Sequence, residues 1–224
     1  MGNEAQAAAT GHGERRRHNC RMFHGPAQFL PAHEYRRLRW RNGAGWTREI
    51  LALPDPERWD LRLSIAEIEA PAAYSPFPGM LREQVLLAGN GLRLDFADGQ
   101  QVELAPPYQR VRFSGERDLV AMPVDGPVQA FNLIWRPSAL EVELLHRPLV
   151  GGMFCFADAE TAWVLHLLGG TARISGDGGE QLLASGDSAW LASTQRRRFA
   201  IDGAGEALLL RVGRAGGVES PRFQ

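Results

Sequence analysis

From about residue 29 onward, apolar positions recur either at every second residue or in short unbroken runs. Residues 50–53, 61–68, 92–96, 102–104, 111–113, 128–135, 162–168, 189–191 and 207–212 all fit strands on this pattern. The 25 glycines and 14 prolines fall between these runs as punctuation. Asp98-Gly99 and Asp177-Gly178 mark tight hairpins, because both central residues of such a turn need positive φ. A helical period is weak, and only residues 31–37, with Pro31 in the first position, suggest a short helix. Many short strands joined by close turns predict an all-β chain of the sandwich or barrel kind.

A faint repeat divides the chain. Leu86-Leu87-Ala88-Gly89 is echoed by Leu167-Leu168-Gly169-Gly170, and each is followed by a strand and a hairpin. The expected organisation is a polar, disordered tail over residues 1–25, a first barrel over 26–136 and a second over 137–224. The tail holds Arg15, Arg16 and Arg17 in a row. In the second copy, Gly186-Asp187 leads into an apolar strand, a turn common in cupins.

Composition narrows the chemistry. Net charge is −1, so the broad basic footprint of a nucleic-acid or membrane-surface protein is missing. All 25 basic residues are arginine, which excludes Schiff-base chemistry and a phosphate-loop lysine. Cys20 and Cys155 are too few for a cysteine zinc site, and Cys20 lies in the tail, so a reducing cytoplasm is expected. No apolar stretch is long enough to span a bilayer. No His-x-His pair follows the tail, and His33-Glu34 lacks the second histidine of a metalloprotease helix, with Arg37 in its place. No metal and no cofactor are expected.

Four blocks carry a specific resemblance. They are Trp40-Arg41-Asn42-Gly43-Ala44-Gly45-Trp46-Thr47-Arg48-Glu49-Ile50; then Trp59 to Ala66, with Tyr74-Ser75-Pro76-Phe77-Pro78-Gly79 and Arg82; then Arg112-Phe113-Ser114-Gly115-Glu116; then Gly126-Pro127-Val128 through Asn132-Leu133. In this order they resemble the HutD family, also called Ves, over about residues 29–212. The resemblance implies a bicupin: two cupin-like β-barrels, or jelly rolls of the RmlC-like kind, in one chain. It also implies a setting in bacterial histidine utilisation, where the protein tunes the pathway. The implied ligand is an acidic intermediate such as formylglutamate or urocanate. One departure concerns position 130, where the family usually has aspartate and this chain has Ala130.

The residues themselves suggest how an acid would be held. Asn42, Gly43 and the following amides form either a plain tight turn or an anion nest. Alternation sends Arg48 and Glu49 to opposite faces, so one of them points inward, either into an ion pair with Arg62 or onto a ligand. Arg62 and Ser64 share one face of their strand, which is either an ordinary solvent-facing surface or the barrel mouth, where with Arg82 two guanidinium forks would clamp a dicarboxylate. Thr47, Phe77 and Asn132 complete the candidate set: Asn132 is either a satisfied core amide or a ligand contact, and Phe77 and Trp40 either belong to the core or stack on a flat ligand. A binding protein for a small acidic metabolite is therefore the expected function. The alternative is a metal-independent isomerase or hydrolase with Glu49 as base. Homodimerisation is left open.

Overall fold

The computed structural model describes residues 22–40, 42–176 and 179–216. In chain order its strands are β1 (Gln28–Leu30), β2 (Arg36–Arg39), β3 (Gly45–Leu53), β4 (Leu61–Ile68), β5 (Ala72–Ala73), β6 (Leu81–Ala88), β7 (Leu92–Phe96) and β8 (Gln101–Leu104). They continue as β9 (Arg110–Ser114), β10 (Leu119–Pro123), β11 (Val128–Trp135), β12 (Leu140–Ala157), β13 (Thr161–Gly176), β14 (Gly179–Ala184), β15 (Ser188–Leu191) and β16 (Arg197–Arg214). The helix expected over 31–37 shrinks to one 3-10 turn at Ala32–Glu34, and Arg36 already belongs to β2. Among the described residues, no helix is long and apolar enough to cross a membrane.

One unit covers Leu30–Ser138. Its larger sheet runs β2-β3-β4-β11-β6-β9 and its smaller sheet runs β5-β10-β7-β8, with antiparallel pairing throughout. Inward-facing side chains of both sheets meet in one core: Ala66, Ile68, Leu86, Phe113, Val128 and Ala130 from the larger, Leu92, Leu94, Phe96, Leu104, Leu119 and Ala121 from the smaller. Each large apolar side chain buried this way contributes about 1.5–3 kcal/mol.

The other unit joins residues 139–216 to residues 22–29. Its sheet runs β1-β15-β13-β16-β12, with β14 on β13. The domain boundary therefore differs from the expected break at residue 26. Strand β1 pairs with β15, Met22 and Phe23 are buried, and the Phe23 ring lies 5.8 Å from the Arg214 guanidinium. The expected tail is shorter for the same reason: residues 22–25 are part of this unit, and residues 1–21 lie outside the described residues.

The two units share a wiring pattern, and the register makes it explicit. In the first unit β11 pairs with β6 as Ala130↔Leu86 and Asn132↔Gln84, and a bulge skips Leu87. In the second, β16 pairs with β13 as Ala207↔Leu167 and Leu209↔Leu165, and a bulge skips Leu168. Gly89 and Gly170 follow the bulges with φ of 105° and 86°. The Leu-Leu-x-Gly echo thus marks the same bend in both copies, where the sheet turns a corner. In the second hairpin, Gly176 pairs with Gly179. The Asp177-Gly178 turn itself lies outside the described residues.

Candidate functional site

Three rows of side chains cross the inner face of β4, β11 and β6. Register places Arg62, Ile134 and Arg82 in one row, Ser64, Asn132 and Gln84 in the next, and Ala66, Ala130 and Leu86 in the third. The sheet face is therefore polar at one end and apolar at the other. The polar end opens on a cavity of about 440 Å³, a volume typical of small-molecule sites. Asn42, Thr47, Arg62, Ser64, Phe77, Arg82 and Asn132 line it, together with Arg39, Trp40, Tyr74 and Ser75.

Arg82 is the feature that sets the chemistry. Its side chain is buried, and its Nε and Nη2 both donate to Asn132 Oδ1, at 3.0 and 2.7 Å. The guanidinium lies 4.0 Å from the Tyr74 ring centre and 5.8 Å from that of Phe113. Among the described residues it forms no ion pair. Burial pushes its pKa down to about 10; the Tyr74 phenol opposes that and the neighbouring Arg62 adds to it. Holding this charge costs the fold on the order of 3 kcal/mol at neutral pH. Tyr74 is itself buried, which pushes its pKa up, and its hydroxyl accepts a 2.7 Å bond from Gln84 Nε2.

The other arginines of the cavity are compensated. Arg62 Nε donates to Glu49 Oε2 at 2.8 Å, and Arg39 pairs with Glu69 at 2.8 Å. Glu49 thus points inward into the ion pair, one of the two roles open to it. It does not line the cavity. Arg48 lies on the opposite face, bound to Glu67 at 2.8 Å and to Gln129 at 3.3 Å, so its candidate role as a ligand contact does not fit its placement. Replacing Glu49 with glutamine should remove a charge that screens Arg62. Carboxylate affinity should rise by about fivefold in calorimetry, in line with roughly 1 kcal/mol of Coulomb energy across a partly hydrated site.

The Asn-Gly-x-Gly segment is a structural turn and not an anion nest. Gly43 N donates to Trp40 O at 3.0 Å and Ala44 N to Asn42 Oδ1 at 3.1 Å, so both amides are already used. Gly43 has φ of 72°, and it is not among the lining residues. Gly45 serves close packing: a Cβ there would come within 2.2 Å of Glu67 O and 3.2 Å of the Trp40 ring. Trp40, seated on Gly45, donates its indole N–H to Thr47 Oγ1 at 2.8 Å and meets Tyr74 edge-on at 6.2 Å. The turn thereby fixes an aromatic wall. Sequence reasoning overlooked Tyr74 as part of that wall, although its place just ahead of the Phe-Pro-Gly turn put it near Phe77.

Phe77 is held by the third motif block. Phe77 N donates to Gly115 O at 2.7 Å, Gly115 N to Met80 O at 2.8 Å, and Gly79 N to Glu116 Oε1 at 2.7 Å. A Cβ on Gly115 would come within 2.9 Å of Phe77 O. Two blocks far apart in sequence therefore form one docked turn. Ala130, where the family usually has aspartate, sits fully buried in the apolar row. Among the described residues, no group of three or more His, Cys, Asp or Glu is arranged to hold a metal. Cys155 is a buried free thiol whose pKa burial pushes up to about 12.

Comparison with known proteins matches the HutD family model to residues 32–209. A 21.2 kDa protein in the hutC 3' region of Pseudomonas putida is 36% identical over 119 residues, 52% of this chain; the match spans only 62% of that relative's length. HutD from Pseudomonas fluorescens, solved in a formate condition, superposes with a TM-score of 0.72 at 25% identity, covering 85% of this chain and 100% of that one. A cupin 2 conserved barrel domain protein from Leptotrichia buccalis superposes with a TM-score of 0.53 at 10% identity, over 75% of this chain and 88% of that one, a likeness of fold alone.

Proposed function

The chain belongs to the HutD family, and from that premise we propose that its cavity binds a small carboxylate, an acidic intermediate of histidine breakdown such as formylglutamate or urocanate. One observation carries the reading. Arg82 is a buried guanidinium with no ion-pair partner among the described residues, and it faces a cavity of ligand size. A protein that holds an uncompensated charge there spends folding stability on it, and an incoming carboxylate recovers that energy. Arg62, Ser64 and Asn132 stand within the same two rows to accept the remaining polar atoms. Trp40 and Phe77 give the ligand flat apolar walls.

Binding is favoured over turnover. The lining residues include no aspartate, glutamate, histidine, lysine or cysteine, so the hydroxyls of Thr47, Ser64, Tyr74 and Ser75 have no carboxylate or imidazole lining the cavity to activate them. Glu49, the candidate base, is engaged by Arg62. The relative in the hutC 3' region supports a place beside histidine-utilisation genes. We accordingly read the protein as a cytoplasmic sensor or sink that tunes that pathway.

Calorimetric titration with formylglutamate, urocanate and the uncharged methyl ester of urocanate tests this. Saturable one-to-one binding of either acid, at least tenfold weaker for the ester, is expected, with the ligand recovered chemically unchanged. Equal affinity for acid and ester, or conversion of the ligand, would overturn the reading.

A further inference from the structure

The duplicated register identifies a second cup whose chemistry is inverted. Where the first unit has the row Ser64–Asn132–Gln84, the second has Leu145–Leu209–Leu165. Where the first has Arg62–Ile134–Arg82, the second has Glu143–Arg211–Trp163. At this equivalent place lies a cavity of about 320 Å³, lined by Leu145, Leu149, Met153, Trp163 and Leu209, with Arg147 beside them. The floor is buried: Leu149 and Leu209 are each 3% exposed. At its rim Val150 is 89% and Phe154 58% exposed, an unusual outlay of apolar surface on one strand. Trp163 is oriented by a 2.9 Å bond from its indole N–H to Phe156 O. Arg147 is exposed and forms no ion pair among the described residues.

We propose that this second cup binds a small amphipathic monocarboxylate, with an aryl or medium-chain body against Leu145, Leu209 and Trp163 and the carboxylate on Arg147. The apolar floor rejects formylglutamate, because its second carboxylate and its formyl group would be buried without partners. An apolar body gains by leaving water, and the rim cation then selects an acid over a neutral analogue. The two copies would thus have diverged into one polar and one apolar site. This inference stands apart from the carboxylate reading of the first cavity.

The full-length protein, titrated calorimetrically with 4-phenylbutyrate and with glutarate, provides the test. Saturable one-to-one binding of phenylbutyrate is expected, unchanged in Arg82→Met, about tenfold weaker in Arg147→Glu and abolished in the cavity-filling Leu145→Trp. Arg147 is on the surface, so its variant leaves the fold undisturbed, and circular dichroism checks both. The proposal fails if phenylbutyrate does not bind, or if its binding is lost in Arg82→Met, which would assign it to the first cavity. It also fails if Arg147→Glu and Leu145→Trp both bind as the wild type does. A dimer that buries Val150 and Phe154 and excludes phenylbutyrate would equally overturn it. Glutarate binding that vanishes only in Arg82→Met separates the fate of the first site from that of the second.

Discussion

Replacing Arg82 with methionine is expected to weaken carboxylate binding by roughly a hundredfold or more, while leaving a protein as stable as the wild type or more stable. The two effects share a cause. The guanidinium is buried beside Tyr74 and Asn132 without a counter-ion among the described residues, so its charge burdens the free protein and is relieved only by an anion. Methionine fills a similar volume without charge. Asn132 Oδ1 then loses both its donors, which offsets part of the gain. The pH dependence has a definite sign. Burial holds the folded-state pKa of Arg82 down near 10, below that of arginine in the unfolded chain. The cost of the charge is therefore fully present below about pH 10 and fades as pH rises beyond it. Denaturant midpoints of wild type and Arg82→Met should differ at pH 7 and converge above pH 10. Carboxylate affinity of the wild type should fall over that same upper range.

Gly205→Ala should be among the most damaging single substitutions in the second unit, costing on the order of 3 kcal/mol or more. Gly205 has φ of 140°, and a Cβ there would lie 1.9 Å from Gly169 O. Gly170, directly across the ladder, has φ of 86°, and its Cβ would lie 1.9 Å from Ala204 O. Both strands bend at this point with their backbones in close approach, so neither can yield to the other. Gly213, in the same strand, is the control. The nearest atoms to a Cβ there are 3.9 Å away and its φ is not positive. Gly213→Ala should be neutral or stabilising by about 0.5 kcal/mol through the unfolded chain. Thermal or urea unfolding of the two variants side by side checks the contrast.

How far the fold was legible depended on what each strand carries. Strands β4, β7 and β11 match the expected runs end to end, since apolar alternation is clean and turn residues bound them. Strand β6 was overlooked as a strand because Arg82, Glu83 and Gln84, all buried, interrupt its apolar pattern. The side chains that define the cavity are the ones that hide the strand bearing them. Strand β12 was missed because Pro148, Gly151 and Gly152 look like punctuation, whereas they sit in an unbroken ladder with β16. The pairing of β1 with β15 is a long-range contact that no local pattern encodes.

The site shows the same division. Alternation alone put Arg62 and Ser64 on one face, and the Phe-Pro-Gly block located Phe77 and Arg82. The anion nest failed because a short turn consumes its own amides, a matter of hydrogen-bond accounting that residue types do not reveal. Arg48 failed because Glu67 and Gln129, distant in sequence, hold it on the other face.

The central claim, that a small carboxylate sits on Arg82, is tested most directly by following the Arg82 Nε–Hε resonance by NMR during titration with formylglutamate and with urocanate, assigned by its loss in Arg82→Met. The account predicts a shift that saturates with the calorimetric binding curve of at least one of the two acids. Saturable binding that leaves the Arg82 resonance unmoved would place the ligand elsewhere and contradict it.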